Sequence, residues 1–180
     1  MLNTFDFDGF IKRITKNPPV AVMMCGVSGS GKTTFSKELE KHGFVRLSID
    51  EEIYLSHGRV GVDFPAHLLE KYQNHAEEKL KSRIQPLLSE NKNLVIDFSF
   101  WSKEKRTLYK DIIQKSGGKR HMVYLSVPYK ILEKRLNIRN NQLHANAVHV
   151  SDKTLKKYYE NFQIPSGEGE IVIKNYIIER

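Results

Sequence analysis

The sequence predicts an α/β fold in which a five-stranded parallel β-sheet is covered by helices on both faces. Five short apolar runs recur along the 180 residues, and each is long enough for a buried strand. Segments with apolar residues at helical spacing separate the runs, and this alternation is typical of a parallel sheet. A glycine-rich turn follows the first run, at the sheet edge where such folds bind ligands.

The strands are predicted from continuous apolar sequence. Their runs are VAVMMC (20–25), FVRLSID (44–50), NLVIDF (93–98), HMVYLSV (121–127) and EIVIKN (170–175). The ligand-binding edge of the sheet is therefore expected at Gly26, Asp50, Asp97 and Val127, which lie at or next to the ends of the first four runs.

The helices are predicted from apolar spacing and from capping residues. The expected inward positions are Phe7, Phe10, Ile11 and Ile14 before Pro18 and Pro19; Phe35 and Leu39 after Gly31, ending at Gly43; Leu69, Tyr72, Ala76, Leu80, Ile84 and Leu87, with Pro86 bending or shortening the end; Leu108, Ile112 and Ile113 after a Ser102 cap; and Leu155, Tyr158, Tyr159 and Phe162 after a Ser151 cap. A further helix is expected from Pro128 to about Arg139. The chain is read as one domain, 1–180, with a helical extension over 1–18 and a lid segment over about 140–152.

The composition is that of a globular protein with affinity for anions. Lysine and arginine outnumber aspartate and glutamate by 29 to 21, which gives a formal charge of +8. This charge suits polyanionic ligands such as nucleotides, although scattered lysines also form an ordinary solvated surface. The single cysteine, Cys25, excludes an intramolecular disulfide and is expected in the core. No signal peptide or membrane-length apolar run is recognised, so a cytoplasmic protein without membrane contact is expected.

A phosphate-binding loop (P-loop) is the most informative motif. Residues Gly26–Thr33, GVSGSGKT, fit the Walker A pattern G-x-x-x-x-G-K-[ST] between a predicted strand and a predicted helix. Glycines let successive N–H groups face an anion, Lys32 can bridge the β- and γ-phosphates, and Thr33 can contact Mg²⁺. The predicted cofactors are ATP and Mg²⁺, and the predicted nucleotide contacts are Gly26, Val27, Ser28, Gly29, Ser30, Gly31, Lys32, Thr33 and Thr34.

ATP is preferred over GTP as the nucleotide. GTPases usually read guanine with an N-K-x-D sequence after a late strand. The closest stretch here, NKNL at 91–94, lacks the aspartate and precedes a strand. It is interpreted as a turn.

Two aspartates are expected in the crevice beside the phosphates. A carboxylate there can accept a proton from an attacking hydroxyl or hold Mg²⁺ through water. Asp50 is assigned as the base because it follows the second strand, facing the end of the γ-phosphate. Asp97 resembles a Walker B acid and is assigned to Mg²⁺ through water. The two roles can be exchanged, and either residue can instead cap a helix.

Arginines near a transferred phosphoryl group stabilise its spreading negative charge. Arg135 and Arg139 are one helical turn apart and lead into the lid segment, so they are predicted to be catalytic; the alternative is a solvated basic face. Arg106 is predicted to reach the acceptor or the γ-phosphate. Trp101 is predicted either to form a wall of the acceptor pocket or to lie in the core.

Together these motifs resemble the small P-loop kinase-like ATPases grouped with zeta toxin and chloramphenicol phosphotransferase. The resemblance runs from about Pro19 to Pro165 and includes the D-x-S-x-W segment at 97–101 and R-x-x-x-R-N at 135–140. It implies a three-layer P-loop NTPase fold with the sheet in nucleoside-kinase-like order and a helical lid. It also implies that Asp50 is the base and that Arg135 and Arg139 clamp the phosphates. Acceptors in the family vary widely, and residues 54–64 match none of its acceptor-specific patterns.

The leading hypothesis is an ATP-dependent kinase acting on a hydroxyl of a small molecule. A first alternative is a regulatory or toxin-like nucleotide-binding ATPase without a small-molecule acceptor. A second is a polynucleotide 5′-hydroxyl kinase, which would use the positive charge but lacks a recognisable aromatic stacking platform. The sequence leaves the acceptor and the oligomeric state open.

Overall fold

A computed structural model describes residues 5–17, 19–140 and 149–174. Its five strands form one parallel sheet in the order β2-β3-β1-β4-β5. The strands are β1 (Val20–Cys25), β2 (Val45–Leu47), β3 (Leu94–Ile96), β4 (Lys119–Ser126) and β5 (Glu170–Lys174). The predicted α/β fold and nucleoside-kinase-like strand order are confirmed.

Helices connect the strands along the chain. They are α1 (Phe7–Ile14), α2 (Lys32–Lys41), α3 (Ile49–His57), α4 (Leu69–Ser89), α5 (Lys103–Lys115), α6 (Tyr129–Arg139) and α7 (Asp152–Asn161), with a 3₁₀ turn at Ala66–Leu68. No helix among the described residues is both long and apolar enough to cross a membrane.

Each face of the sheet has its own apolar core. On one face α1 and α2 pack against alternate residues of β1, and the rings of Phe10 and Phe35 meet edge to face at 5.8 Å. On the other face α4 and α5 cover the remaining β1 residues. All six residues of β1 are buried, so the P-loop follows a strand that is enclosed on both faces.

The second strand is shorter than predicted. β2 ends at Leu47 rather than Asp50, because the Ser48 hydroxyl accepts a hydrogen bond from the Glu51 N–H at 3.4 Å and starts α3. Asp50 therefore lies in the first turn of α3, where its negative charge complements the helix dipole. The cap is Ser48, so the alternative in which Asp50 caps the helix is wrong.

Other helix predictions were confirmed with three corrections. Tyr158 and Tyr159 of α7 were expected to face inward but are exposed. Ser102 and Ser151 cap α5 and α7, as predicted. Pro86 does not shorten α4, which continues to Ser89. Leu108 is half exposed, because Arg106 and Tyr109 occupy the inward positions of α5.

Candidate functional site

The P-loop wraps around the amino end of α2 at the carboxyl edge of the sheet. Gly26 and Gly29 have φ angles of 153° and 84°, which side chains rarely adopt. A Cβ on Gly26 would lie 2.6 Å from the Ser30 hydroxyl, and one on Gly29 would lie 3.2 Å from the Leu136 side chain of α6. Both glycines are therefore required by the shape of the loop.

Lys32 points back across the concave side of the P-loop. Its ammonium donates hydrogen bonds to the carbonyls of Gly26 at 2.8 Å and Val27 at 3.1 Å. Desolvation lowers the pKa of Lys32, whereas the nearby Asp97 and Asp50 carboxylates raise it. The ammonium thus lies where an anion cradled by the loop would meet it.

Asp50 faces the same crevice from α3. The Asp50 side chain is exposed to solvent at its surface. The surrounding protein atoms still desolvate the carboxylate, and this desolvation is the largest cause that raises its pKa. The negative charge of Asp97 raises the pKa of Asp50 further, and Lys32 and Arg139 lower it. A carboxylate with a raised pKa is a stronger proton acceptor than an ordinary surface aspartate.

Asp97 is held by a buried arginine that sequence reasoning missed. Arg46 on β2 donates from Nε at 3.1 Å and from Nη2 at 2.9 Å to Oδ2 of Asp97, and from Nη1 at 3.1 Å to Glu51. This arginine therefore ties the end of β3 to the start of α3, beside Asp50. A charged residue inside the apolar run FVRLSID was the available sequence signal, because a buried charge requires a partner.

Two arginines of α6 contact the P-loop from the other side. Arg135 donates to the carbonyl of Ser30 at 3.2 Å, and Arg139 donates to the Ser28 hydroxyl at 3.3 Å. Desolvation lowers the pKa of Arg139, and Asp50 raises it. The structure therefore brings these two predicted site residues to the loop with Lys32 and Asp50.

The predicted lid segment, 140–152, is described only at its two ends, since 141–148 lie outside the described residues. The Asn140 amide donates to the Val150 carbonyl at 3.0 Å and accepts from the Val150 N–H at 3.1 Å. One side chain thus fixes the end of α6 against the chain that leads into α7.

We expect Asn140→Ala to lower stability by about 1–2 kcal/mol, because two partly buried hydrogen bonds are lost together. Thermal unfolding measures this, with Asn74→Ala on exposed sequence of α4 as the matched control. Equal unfolding temperatures for the two variants would show that the Asn140 bonds contribute nothing.

Arg106 does not reach the crevice, so its prediction as an acceptor-binding residue is corrected. Its guanidinium forms a two-point ion pair with Glu168 at 2.7 and 2.8 Å, and it donates to the carbonyls of Phe100 and Gln163. The side chain is 1% exposed. These four bonds direct the guanidinium into the body of the protein, where it joins α5 to the chain before β5.

Trp101 is half exposed, so its core interpretation is wrong. Its carbonyl accepts a hydrogen bond from the Gln163 N–H at 2.9 Å. The segment Tyr54–Phe64, which corresponds to the acceptor region in the resemblance, packs against Tyr72 of α4. The His57 ring stacks on Tyr72 at 3.7 Å, and Phe64 meets Tyr72 edge to face at 5.0 Å.

A magnesium ion fits the residues at this site only together with a nucleotide. No group of three or more His, Cys, Asp or Glu side chains among the described residues forms a metal site. Mg²⁺ typically takes one or two protein oxygens and completes its shell with phosphates and water. Thr33 lies in the first turn of α2, next to Lys32, and the Arg46 bonds to Asp97 all fall on Oδ2. This oxygen-based donor set suits Mg²⁺.

One protein-family model covers most of the chain. The model described as AAA domain (AAA_33) matches residues 22–165, which include the P-loop, both aspartates and α6. The chain belongs to this family. AAA_33 is a P-loop kinase-like family, in agreement with the resemblance read from the motifs. No curated protein matches the sequence.

Solved structures share the fold of this AAA_33 protein at low identity. A candidate kinase from Chloroflexus aurantiacus is 16% identical with a TM-score of 0.69, over 88% of this chain and 86% of that one. A gluconokinase from Sinorhizobium meliloti is 18% identical with a TM-score of 0.58, over 87% and 82%. A chain of the Pnkp1/Rnl/Hen1 RNA repair complex is 18% identical with a TM-score of 0.66, over 82% of this chain but 46% of that one. The fold is therefore that of kinase-like P-loop NTPases.

Proposed function

We propose that the protein is a Mg²⁺-ATP-dependent kinase that transfers the γ-phosphate to a hydroxyl of a small molecule. The observation that supports this best is the set of charges around the P-loop. The Asp50 carboxylate interacts electrostatically with Lys32 and Arg139, and both of these cations contact the loop. A proton acceptor and two phosphate-binding cations in one crevice are the groups that phosphoryl transfer requires.

The chemistry follows from these positions. The acceptor hydroxyl gives its proton to Asp50 as its oxygen bonds to the γ-phosphorus, and the bond from that phosphorus to the β,γ-bridging oxygen breaks, releasing ADP. Lys32 exchanges its bonds to the Gly26 and Val27 carbonyls for phosphate oxygens. Arg135 and Arg139 stabilise the charge on the transferred group. Mg²⁺, held through Thr33 and Asp97, would neutralise charge on the phosphates.

A labelled γ-phosphate transfer screen across sugars, aminoglycosides, nucleosides and 5′-hydroxyl oligonucleotides tests this proposal. We expect transfer to at least one small hydroxyl compound. The oligonucleotide arm tests the polynucleotide-kinase alternative, which the +8 charge favours and which predicts salt-sensitive binding. Nucleotide binding without transfer to any class would instead support a regulatory ATPase.

We expect Lys32→Ala to weaken MgATP binding by about 10- to 100-fold, because charge-assisted hydrogen bonds to the phosphates are lost. Calorimetric titration measures the change. Lys37→Ala, at an exposed position of the same helix, is the matched control and should bind MgATP like the wild type. Unchanged affinity in Lys32→Ala would exclude the assigned phosphate contact.

A further inference from the structure

We propose that Arg46 is a positioning residue for phosphoryl transfer, in which one guanidinium holds both the aspartate assigned to Mg²⁺ and the helical turn that carries the assigned base. The inference rests on the proposed kinase function. Arg46 lies in β2, and its side chain is 5% exposed. It donates three hydrogen bonds to the carboxylates of Asp97 and Glu51. Because these partners follow β3 and begin α3, the planar guanidinium fixes the two elements relative to each other.

Arg46 and Asp97 lie on the face of the sheet that carries the P-loop helix, α2. The register pairs Arg46 with Val95, and Asp97, two residues further on, points to the same side as Val95. Val95 belongs to the core that α1 and α2 cover. Burial lowers the pKa of Lys32, and Asp97 is the largest of the charge effects that raise it. Arg46 therefore holds a carboxylate on the phosphate-binding side of the sheet.

The pairing leaves one oxygen of Asp97 for a ligand. Both bonds from Arg46 end on Oδ2, at 3.1 and 2.9 Å. Oδ1 accepts no hydrogen bond from the part of the chain that the structure describes. The guanidinium thus orients the carboxylate and keeps Oδ1 for water bound to Mg²⁺. Partners that orient a metal-binding side chain usually contribute about 10- to 100-fold to metal affinity or activity.

The third bond acts on the helix of the base. Nη1 of Arg46 donates to Oε2 of Glu51 at 3.1 Å, and Glu51 directly follows Asp50 in the first turn of α3. Desolvation raises the pKa of Asp50, and Arg46 is one of the cations that lower it, so the guanidinium is close to the base as well. Holding this turn keeps the Asp50 carboxylate at one distance from the phosphates. A displacement of about 1 Å can lower a rate about 100-fold.

Glu51→Ala tests the link to the base with little risk to the fold, because the Glu51 side chain is 37% exposed. It removes one acceptor of Arg46 and leaves both bonds to Asp97. We expect kcat for phosphoryl transfer to fall about 10-fold, whereas MgADP affinity stays at the wild-type value. Glu52→Ala is the matched control, because the same change in the same turn removes an ion pair with Lys79 of α4 instead. It should keep the wild-type kcat.

Arg46→Met tests the link to Mg²⁺. In calorimetric titrations of ADP at increasing Mg²⁺, we expect the Mg²⁺ concentration that gives half of the maximal affinity gain to rise about 10-fold. Arg106→Met is the matched control, because it makes the same change in the buried ion pair with Glu168. It should keep the wild-type Mg²⁺ requirement at temperatures at which the variant is folded.

Arg46→Lys keeps the test decisive if Arg46→Met does not fold. Lysine retains a positive charge beside Asp97 but lacks the planar fork that reaches two carboxylates at once. We expect a Mg²⁺ requirement near that of the wild type and a kcat lowered as in Glu51→Ala. A wild-type kcat in Arg46→Lys would overturn the proposal.

The outcomes separate the positioning role from the kinase function. If kcat is unchanged in Glu51→Ala and the Mg²⁺ requirement is unchanged in Arg46→Met, Arg46 only stabilises the fold and the proposal is wrong, even where unfolding temperatures fall. If the wild type transfers phosphate to no acceptor, the proposed function fails by itself. The Mg²⁺ titration needs no acceptor, so a raised requirement in Arg46→Met would still support the hold on Asp97, and an unchanged one would overturn it.

Discussion

We expect Asp50→Asn to lower kcat for phosphoryl transfer by about 10²- to 10⁴-fold, the usual contribution of a positioned general base. The amide keeps the size of the side chain but cannot accept the proton of the attacking hydroxyl. ATP affinity should stay close to that of the wild type, because the phosphates are assigned to the P-loop, Lys32, Arg135 and Arg139. Steady-state kinetics and calorimetric titration of MgATP measure the two effects separately.

The control for this change is Asp111→Asn, an identical substitution at an exposed position of α5. It should transfer phosphate at the wild-type rate. Near wild-type transfer in Asp50→Asn would remove Asp50 as the base. If Asp97→Asn then lost transfer and kept ATP affinity, the two aspartates would have the exchanged roles that the sequence left open.

The pH dependence gives a second readout of the same group. Desolvation and the Asp97 charge raise the pKa of Asp50, so the base becomes protonated at a higher pH than an ordinary aspartate, whose pKa is about 4. The acid limb of kcat/KM should lie above that value in the wild type. The residual activity of Asp50→Asn should lack this limb. An acid limb that is identical in both proteins would have to come from another group.

Asp50→Asn should lower activity without lowering the stability of the fold. Because the folded-state pKa of Asp50 is raised, the native protein holds its proton more tightly than the unfolded chain does. Asp50 therefore stabilises the fold at pH values below its pKa in the unfolded chain. This stabilisation is lost as the pH rises through its pKa in the folded protein. Desolvation and the Asp97 charge outweigh the favourable helix dipole, so at neutral pH Asp50→Asn removes a charge that is unfavourable on balance. The variant should unfold at the same temperature or a higher one, so lost activity would not reflect unfolding.

The fold was predictable because its signals are local. Continuous apolar runs such as VAVMMC identify buried strands, and a serine before an amphipathic segment, as at Ser102, identifies a helix start. The P-loop was equally clear, since Gly26–Thr33 is one uninterrupted stretch. In each case the residues that make the contacts are close together in the chain.

The rest of the site depended on partners distant in sequence. Arg46 contacts Asp97, 51 residues away, and Arg106 contacts Glu168, 62 residues away. Both arginines follow or lie within apolar patterns. The neighbouring residues in the sequence do not distinguish an arginine that binds a ligand from one that stabilises the fold.

We expect Arg106→Met to lower the free energy of unfolding by about 3–5 kcal/mol, because one partner of a buried ion pair is removed and the other remains. The Phe100 and Gln163 carbonyls also lose their donors. For a chain of this size the unfolding temperature should fall by roughly 6–20 °C. Lys110→Met, at an exposed position of the same helix, is the matched control and should change little.

The pH dependence of stability tests the ion pair between Arg106 and Glu168. The hydrogen bond from Arg106 is the largest cause lowering the pKa of Glu168. A carboxyl with a lowered folded-state pKa stabilises the protein above its unfolded pKa, and this contribution is lost as the pH falls through the folded pKa. The stability difference between wild type and Arg106→Met should therefore shrink in acid. If Arg106→Met instead lost phosphoryl transfer and kept its unfolding temperature, Arg106 would be a ligand-binding residue. An ion pair that only stabilises the fold predicts a lower unfolding temperature.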